Sequence, residues 1–155
     1  MNLPMVRDNK PLLIAPMTDD AIDKVYQLEA VTSAQPQVHI PTEHVIHAGM
    51  YLRTIRIPAG TLLTGVFIKI PTCLVVSGSV TTFVGDEFRE LNGYNVIAAS
   101  ARRKQVFMAH SDVDMTMMFP TDARTVAEAE AQFTDEVDLL MSRHDDLTTT
   151  LITGE

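Results

Sequence analysis

Two histidines three residues apart, His44 and His47, are the first residues in the chain whose types and spacing could hold a metal ion. On a helix, an i, i+3 pair of imidazoles can grip one metal. The local sequence HVIHAG, however, leads into a predicted strand, in which residues three apart point to opposite faces. The sequence therefore favours polar histidines at the rim of the predicted β-structure, or at an oligomer contact, over a metal site.

Tyr51 and Arg53 lie on one face of an early predicted strand and are candidate ligand-binding residues. A guanidinium at the open end of a β-structure can bind an anion through two parallel hydrogen bonds. Lys104 and His110 could line the same opening and complete a site that binds an anion. Arg53 could equally pair with one of the twenty acidic residues of the chain, and this second interpretation is the favoured one.

Other patterns that carry chemistry are absent from the sequence or have a simpler interpretation. No serine lies in a G-x-S-x-G elbow, and neither common glycine-rich phosphate loop is present. Asp112 and Asp114 could do acid–base work, but a solvated turn is the favoured interpretation. The cationic run from Arg102 to Lys104 is also interpreted as a solvated turn. The sequence thus predicts no catalytic residues.

Composition narrows the class of protein. The 155 residues suffice for one domain, and a hydrophobic fraction of 46% can fill its core. The net charge of 12 − 20 = −8 argues against nucleic-acid binding. Cys73 is the single cysteine, so no internal disulfide is possible, and its apolar neighbours predict a buried thiol. No signal peptide and no membrane span are recognised, and we expect a cytoplasmic rather than a secreted protein.

Residues 1–44 are predicted to form an N-terminal extended arm followed by a helix. Three prolines interrupt residues 1–17 and exclude helix there. The helix should begin at Thr18, whose hydroxyl can cap it. Asp19 and Asp20 then sit at the positive end of the helix dipole.

Residues 45–121 carry the strand signals. Leu62, Val66, Ile68 and Ile70 fall on one face at period two. Turn-forming dipeptides recur about every ten residues, a spacing typical of a β-barrel or β-sandwich.

Alternation also sorts the methionines of the last predicted strand. Met115 and Met117 share a face with Val113 and Phe119 and should pack in the core. Met118 points to the opposite face and is a candidate interface residue.

Residues 122–155 are predicted to form C-terminal helices and a tail. Thr125 and Glu128 make a capping box that opens a short helix. A second helix should cover the sequence EVDLLMSR. The tail returns to β-prone residues, and it could pair with its own sheet or with a neighbouring chain.

Two glycine landmarks between His44 and Thr121 resemble the cupin superfamily. Gly60 lies in IPAGTLLTGVFIKIPTCLVVSG, and Gly93 opens GYNVIAASARRK. The phrases QPQVHIPTEHVIHAGMYLRTIRIPAG, VSGSVTTF and PTDARTVAEAEAQFTDEVDLLMSR are similar to small cupin-like proteins of tailed phages and prophages. The resemblance implies a mainly β fold: a single antiparallel β-barrel (jelly roll) with a short N-terminal helix and one or two short C-terminal helices, one domain overall.

The departures from the cupin motifs remove the metal ligands. Counting from the two glycines, the positions of the family's ligands fall on Val66, Ile68, Thr72 (or Cys73) and Lys104. Aliphatic side chains and an ammonium offer a transition metal no lone pair. We therefore expect degenerate ligand positions, no bound metal and no cofactor.

The functional expectation is a non-catalytic, metal-free cupin-like protein that acts by self-association and protein contacts. Cupins commonly dimerise, so the resemblance implies a homo-oligomer, dimer or higher. It also makes plausible a phage-encoded accessory or virion-associated role, such as capsid decoration, with a phage structural protein as partner, in the host cytoplasm or the virion.

Two alternatives stay open. One is a barrel that binds or sequesters an anionic metabolite or nucleotide. The other is a metal-independent isomerase or epimerase, with His44 or His110 as base and Tyr51 or Tyr94 as acid.

Overall fold

The computed structural model describes residues 12–84, 87–144 and 148–155. Over these ranges the chain is mainly β, with two α-helices and two short 3₁₀ helices. The elements are β1 (Leu12–Ile14), α1 (Asp19–Thr32), β2 (Thr42–His47), β3 (Met50–Ile57), β4 (Leu62–Thr64), β5 (Thr72–Ser77), β6 (Val80–Val84), β7 (Glu87–Leu91), β8 (Tyr94–Ala99), β9 (Val106–Ala109), β10 (Val113–Pro120), α2 (Val126–Phe133), the 3₁₀ helices Val137–Leu139 and Met141–His144, and β11 (Thr148–Ile152).

The strands form two separate sheets rather than a closed barrel. The large sheet has seven strands in the order β1-β8-β5-β10-β3-β2-β11, and the small sheet has four in the order β4-β9-β6-β7. Neighbouring strands are antiparallel except at the two edges of the large sheet, where β1 runs parallel to β8 and β11 to β2. One apolar core takes side chains from both sheets, so they pack face to face.

The first strand of the small sheet ends earlier than the sequence predicts. Leu62, Val66, Ile68 and Ile70 were predicted to alternate along one strand, but β4 ends at Thr64 and only an isolated bridge follows. In this segment the backbone N–H of Phe67 donates to a Glu136 carboxylate oxygen at 2.7 Å, rather than to a neighbouring strand.

Strand β10 confirms the predicted alternation. Val113, Met115, Met117 and Phe119 are all buried, whereas Met118 lies on the opposite face and is half-buried. Removing each buried side chain from water contributes roughly 1.5–3 kcal/mol.

The same alternation places Cys73 differently from the expectation. Its neighbours in β5, Leu74 and Val76, point into the core, so the thiol points outward and is exposed. The predicted buried thiol is therefore wrong.

The N-terminal helix begins as predicted, but the segment before it is not a free arm. Thr18 caps α1 by accepting a hydrogen bond from the Ala21 N–H at 3.2 Å. Ile14 in β1 and Met17 after it are almost fully buried. Ile14 and Met17 thus fix this segment to the core, although Leu13 is exposed, and residues 1–11 of the expected arm lie outside the described residues.

The C-terminal region follows the prediction in part. The Thr125 hydroxyl accepts from the Glu128 N–H at 3.2 Å, which confirms the capping box at the start of α2. The second predicted helix is wrong, because residues 137–144 form two 3₁₀ helices separated by Leu140 in an extended conformation. Leu140 is thereby turned into the core. The tail strand β11 pairs with β2 of its own sheet.

Among the described residues, no helix is both long and apolar enough to cross a membrane.

Candidate functional site

A cavity of about 140 Å³ lies between the two sheets. Its wall is mostly aliphatic and aromatic, with side chains from both sheets and from the chain segments that join them: Val66, Ile68, Leu74, Phe107, Met115 and Met117. Leu139, in the first 3₁₀ helix, lines the cavity and is 54% exposed, so the cavity approaches solvent beside this residue. Arg53, Arg103 and Gln105 supply the nitrogen-bearing polar groups of the wall.

The volume limits what the cavity can hold. Pockets for drug-sized ligands occupy about 300–1,000 Å³. An apolar cavity of about 150 Å³ engineered in another protein binds benzene. This cavity therefore fits a molecule of about one six-membered ring and is too small for a nucleotide.

Arg103 brings an almost completely buried guanidinium to the cavity wall, since only 1% of the residue is exposed. Its Nε donates to the Gln105 Oε1 at 3.3 Å, and its Nη2 donates to the Thr72 hydroxyl at 2.6 Å. Its Nη1 donates to two backbone carbonyls, that of Ser100 at 2.6 Å and that of Ile70 at 3.4 Å. These bonds engage four of its five N–H groups.

The charge of Arg103 has no carboxylate partner among the described residues. Burial lowers the pKa of the Arg103 guanidinium to about 10, because the charged form loses its water. The group is still charged at neutral pH. A buried cation paired only with neutral acceptors favours an incoming anion.

Gln105 supplies a further free donor to the wall. Its Nε2 is buried and has no hydrogen-bond partner, alone in this respect among the side chains that the structure describes. The amide cannot be turned around, since Arg103 Nε donates to its Oε1 and would otherwise face another donor. A buried N–H left unpaired costs about 1–3 kcal/mol.

Arg53 also lines the cavity, but its charge is balanced. It donates to the Glu130 carboxylate at 3.3 Å and to the Ser142 hydroxyl at 3.0 Å. Glu130 also accepts from Arg143 at 3.1 Å. Pairing with an acid, the favoured expectation for Arg53, is thus what the structure shows. The three guanidinium groups of Arg53, Arg103 and Arg143 outnumber the single Glu130 carboxylate, so the charge around the cavity is positive.

Tyr51 lies beside Arg53 in the core and does not line the cavity. Its hydroxyl and the His44 Nδ1 are 2.7 Å apart, and both residues are at most 2% exposed. Burial, and then the charge of Arg53, lower the pKa of His44 to about 4; burial raises the pKa of Tyr51 to about 12. His44 was expected at a rim or an oligomer contact, and that expectation is wrong. The pair would be a weak base beside a weak acid, out of reach of a ligand in the cavity.

Lys104 and His110 lie away from the cavity wall. The Lys104 ammonium is fully buried, 2.8 Å from a Glu29 carboxylate oxygen and 4.4 Å from the centre of the Tyr26 ring. His110 is exposed and pairs with the Thr81 hydroxyl at 2.6 Å. Of the four expected ligand-binding residues, the structure brings only Tyr51 and Arg53 together.

The sequence did not reveal Arg103 and Gln105 because the cationic run was interpreted as a solvated turn. That interpretation is wrong for Arg103 and Lys104, which are both almost completely buried, and holds for Arg102, which is exposed and paired with Asp19. The missed signal was alternation: Arg103, Gln105, Phe107 and Ala109 follow one another at period two. The intervening positions, Lys104 and Val106, face helix α1, so both sides of this segment are covered.

The four positions that correspond to the cupin metal ligands lie in different parts of the structure. Val66 and Ile68 line the cavity, and the Thr72 hydroxyl accepts a hydrogen bond from Arg103. Lys104 faces away from the cavity and pairs with Glu29. In the part of the chain that the structure describes, no three His, Cys, Asp or Glu side chains come close enough together to hold a metal ion.

No protein-family model and no curated protein sequence matches the chain. Among solved structures, the chain is similar to a cupin superfamily protein from Desulfitobacterium hafniense, with 11% identity and a TM-score of 0.44 over 57% of this chain and 83% of that one. A cupin-2 domain containing protein from Shewanella frigidimarina matches with 10% identity and a TM-score of 0.43 over 60% of this chain and 91% of that one.

Salicylate 1,2-dioxygenase from Pseudoaminobacter salicylatoxidans matches with 15% identity and a TM-score of 0.46, over 84% of this chain and 40% of the enzyme's chain. The structural neighbours of this mainly β chain thus include cupin superfamily proteins.

Proposed function

We propose that the protein binds a small apolar molecule bearing one carboxylate group, and that it holds this molecule in the cavity between the sheets. The unpaired Gln105 Nε2, buried in the cavity wall, carries the proposal. A buried donor without a partner is costly to the folded chain, and a ligand oxygen that accepts from it removes that cost.

A single carboxylate can satisfy Gln105 Nε2 and the free N–H of Arg103 together. One oxygen accepts from Gln105 Nε2, and the other accepts the remaining N–H of Arg103 Nη2. The two donors come from side chains already joined by a hydrogen bond, so little ordering is needed on binding. Charge-assisted bonds of this kind are about twice as strong as neutral ones.

The chemistry of the cavity wall determines what the ligand must be apart from its carboxylate. Aliphatic and aromatic side chains surround the two donors, so the body of the ligand is apolar. At about 140 Å³ the cavity accommodates roughly a C5–C7 skeleton.

The proposal keeps the expected metal-free, non-catalytic role and selects the small-molecule alternative over the isomerase. Support comes from the His44–Tyr51 pair, which does not reach the cavity, and from Val66 and Ile68, which give it an aliphatic wall. We further propose that the two sheets form a jelly-roll sandwich of cupin type. A phage-encoded or virion-associated role stays a prediction from the sequence.

Thermal unfolding with matched probes tests the proposal. Benzoate and cyclohexanecarboxylate are the probes, and toluene and benzyl alcohol are the controls without a carboxylate. At one hundred times Kd, a ligand adds about 2.7 kcal/mol to the stability. For a chain of this size, that corresponds to a rise in Tm of roughly 5–10 °C.

Gln105→Glu is the matched variant, because it keeps an acceptor for Arg103 Nε, removes the free N–H and supplies a carboxylate to the buried guanidinium. It should abolish the shift caused by the acids. Gln27→Glu makes the same change on an exposed face of α1 and should leave the shift intact. If no acid stabilises the wild type, or if Gln105→Glu responds to the acids as the wild type does, the proposal fails.

A further inference from the structure

Residues 136–143, which contain the two 3₁₀ helices, cover one side of the cavity, and we call them the strap. Leu139, Leu140 and Ser142 of the strap line the cavity. Leu140 is 5% exposed and packs in the core, whereas Leu139 is 54% exposed. The strap therefore lies between the cavity and solvent.

The polar end of the cavity is closed to solvent. Arg103 is 1% exposed and Gln105 is 5% exposed, and the apolar wall residues Leu74 and Met117 are also buried. A molecule the size of a six-membered ring cannot reach these side chains unless part of the wall moves. The structure thus requires an opening motion before the cavity can be filled.

Backbone hydrogen bonds hold the rest of the wall. Strands β5, β9 and β10 are each paired on both sides. In the segment 65–70, the Ile68 N–H donates to the Arg103 carbonyl at 2.8 Å. The backbone–backbone bonds that the structure describes for the strap, in contrast, stay within it, such as that from the Leu140 N–H to the Val137 carbonyl at 3.2 Å. A segment without such bonds to its surroundings opens more readily than the sheets.

One carboxylate fastens the start of the strap. Glu136 Oε1 accepts from the Phe67 N–H at 2.7 Å, and Glu136 Oε2 accepts from the Tyr26 hydroxyl at 2.9 Å. The buried ammonium of Lys104 lies 3.7 Å from Glu136 Oε1. Glu136 thereby joins the strap to α1, to the segment after β4 and to the residues before β9.

A second fastening lies near the other end of the strap. The Ser142 hydroxyl accepts from Arg53 Nη2 at 3.0 Å, and Arg143 Nε donates to the Glu130 carboxylate at 3.1 Å. Between the two fastenings, Leu140 buries its side chain in the core. The strap is thus held to the sheets by side chains.

We propose that the strap opens outward to admit molecules to the cavity, and that the Glu136 carboxylate is the main group that holds it closed. Opening withdraws Leu140 from the cavity wall. Helix α2 stays in place, because the Thr134 N–H at its C-terminal end donates to the Glu130 carbonyl at 3.1 Å. The proposal concerns access to the cavity and does not depend on which molecule binds there.

Labelling of a thiol inside the cavity measures this opening without any carboxylate ligand. Met117→Cys places the thiol in the wall on β10, and Cys73→Ser removes the exposed natural thiol. Methyl methanethiosulfonate, a small thiol reagent, is the probe. We expect slow labelling of this parent protein. Adding Glu136→Ala should accelerate it at least about tenfold, because two hydrogen bonds and an ionic contact are lost.

Further variants separate release of the strap from other effects. Glu136→Gln keeps an acceptor for the Phe67 N–H and should accelerate labelling less than Glu136→Ala. Asp135→Ala removes the neighbouring carboxylate, whose side chain is 82% exposed and pairs with Lys69 at the surface, and should leave the rate unchanged. If Glu136→Ala does not fold, Ser142→Ala releases the second fastening and should accelerate labelling at least about threefold.

Hydrogen exchange shows whether the opening is local. The amides of β10 should stay protected in every variant, and those of Leu140 and Arg143 should exchange at least about a hundred times faster. A parent protein whose cavity thiol reacts as fast as a free thiol overturns the proposal. So does a labelling rate that neither Glu136→Ala nor Ser142→Ala raises, or one that rises only together with exchange in β10, because the cavity would then open by unfolding of the sheet.

Discussion

The buried His44 predicts how the stability of the fold depends on pH. It is 2% exposed, lies 2.7 Å from the Tyr51 hydroxyl, and has its pKa lowered from 6.5 to about 4 by burial and by Arg53. Between these two pH values the unfolded chain binds a proton that the folded chain does not. Stability therefore falls as the pH drops from 6.5 to 4. At 1.36 kcal/mol per pH unit, this group contributes a total loss of roughly 3 kcal/mol.

Urea unfolding at pH 7, 5.5 and 4 measures this loss. His44→Asn removes the titrating group, so its stability should decline less over the same range, by up to roughly 3 kcal/mol, although it starts lower at pH 7. His47→Asn, three residues away and exposed, is the matched control and should follow the wild type. Carboxylates that titrate in all three proteins cancel in the comparison.

If His44→Asn and the wild type lose stability in parallel from pH 7 to pH 4, the histidine is not held neutral by burial. The interpretation of the His44–Tyr51 pair as core structure would then be wrong.

Three further predictions concern the fold and the cavity. Gly78→Ala should destabilise the fold strongly, because φ is +134° and a Cβ would meet a backbone oxygen at 2.7 Å. Gly49→Ala has open space around the added Cβ and should cost only about 1 kcal/mol, and chemical denaturation compares the two variants. Ile14→Ala should lower the free energy of unfolding by about 2–5 kcal/mol, and a change below 1 kcal/mol would show that β1 is not core. Combined Val66→His and Ile68→His should not yield a tight metal site, because two imidazoles lack the third ligand and face positive charge; near-stoichiometric Zn²⁺ or Ni²⁺ by elemental analysis after dialysis would contradict this.

Local signals in the sequence predicted the elements that depend on neighbouring residues. Thr18 and Thr125 cap their helices as expected, because a capping hydroxyl needs only the next turn of the same helix. The alternation in β10 also placed Met118 on the outer face.

The predictions that failed concern features determined by contacts with residues distant in the sequence. Four apolar residues in a row, from Cys73 to Val76, do not show which face is inside, and the thiol proved exposed. After Thr64 the regular strand pairing ends, and the N–H groups of Phe67 and Lys69 donate to Glu136 and to the Phe133 carbonyl, both more than sixty residues later in the chain.

The candidate site was missed for the same reason. Charged residues are almost never fully buried without a partner, so Arg103 and Lys104 were assigned to solvent. Lys104 is buried because Glu29 pairs with it, whereas Arg103 is held by neutral acceptors. Neither set of partners can be read from the local sequence.

The side-chain amide of Gln105, followed by ¹H–¹⁵N NMR while benzoate is titrated, tests ligand binding in the cavity most directly. Loss of the signal in Gln105→Glu assigns it. We expect both amide protons of Gln105 to shift in a saturable way, with the exposed Gln27 amide unmoved. A Gln105 amide that stays in place at saturating benzoate, or that moves equally with toluene, would contradict carboxylate binding between the sheets.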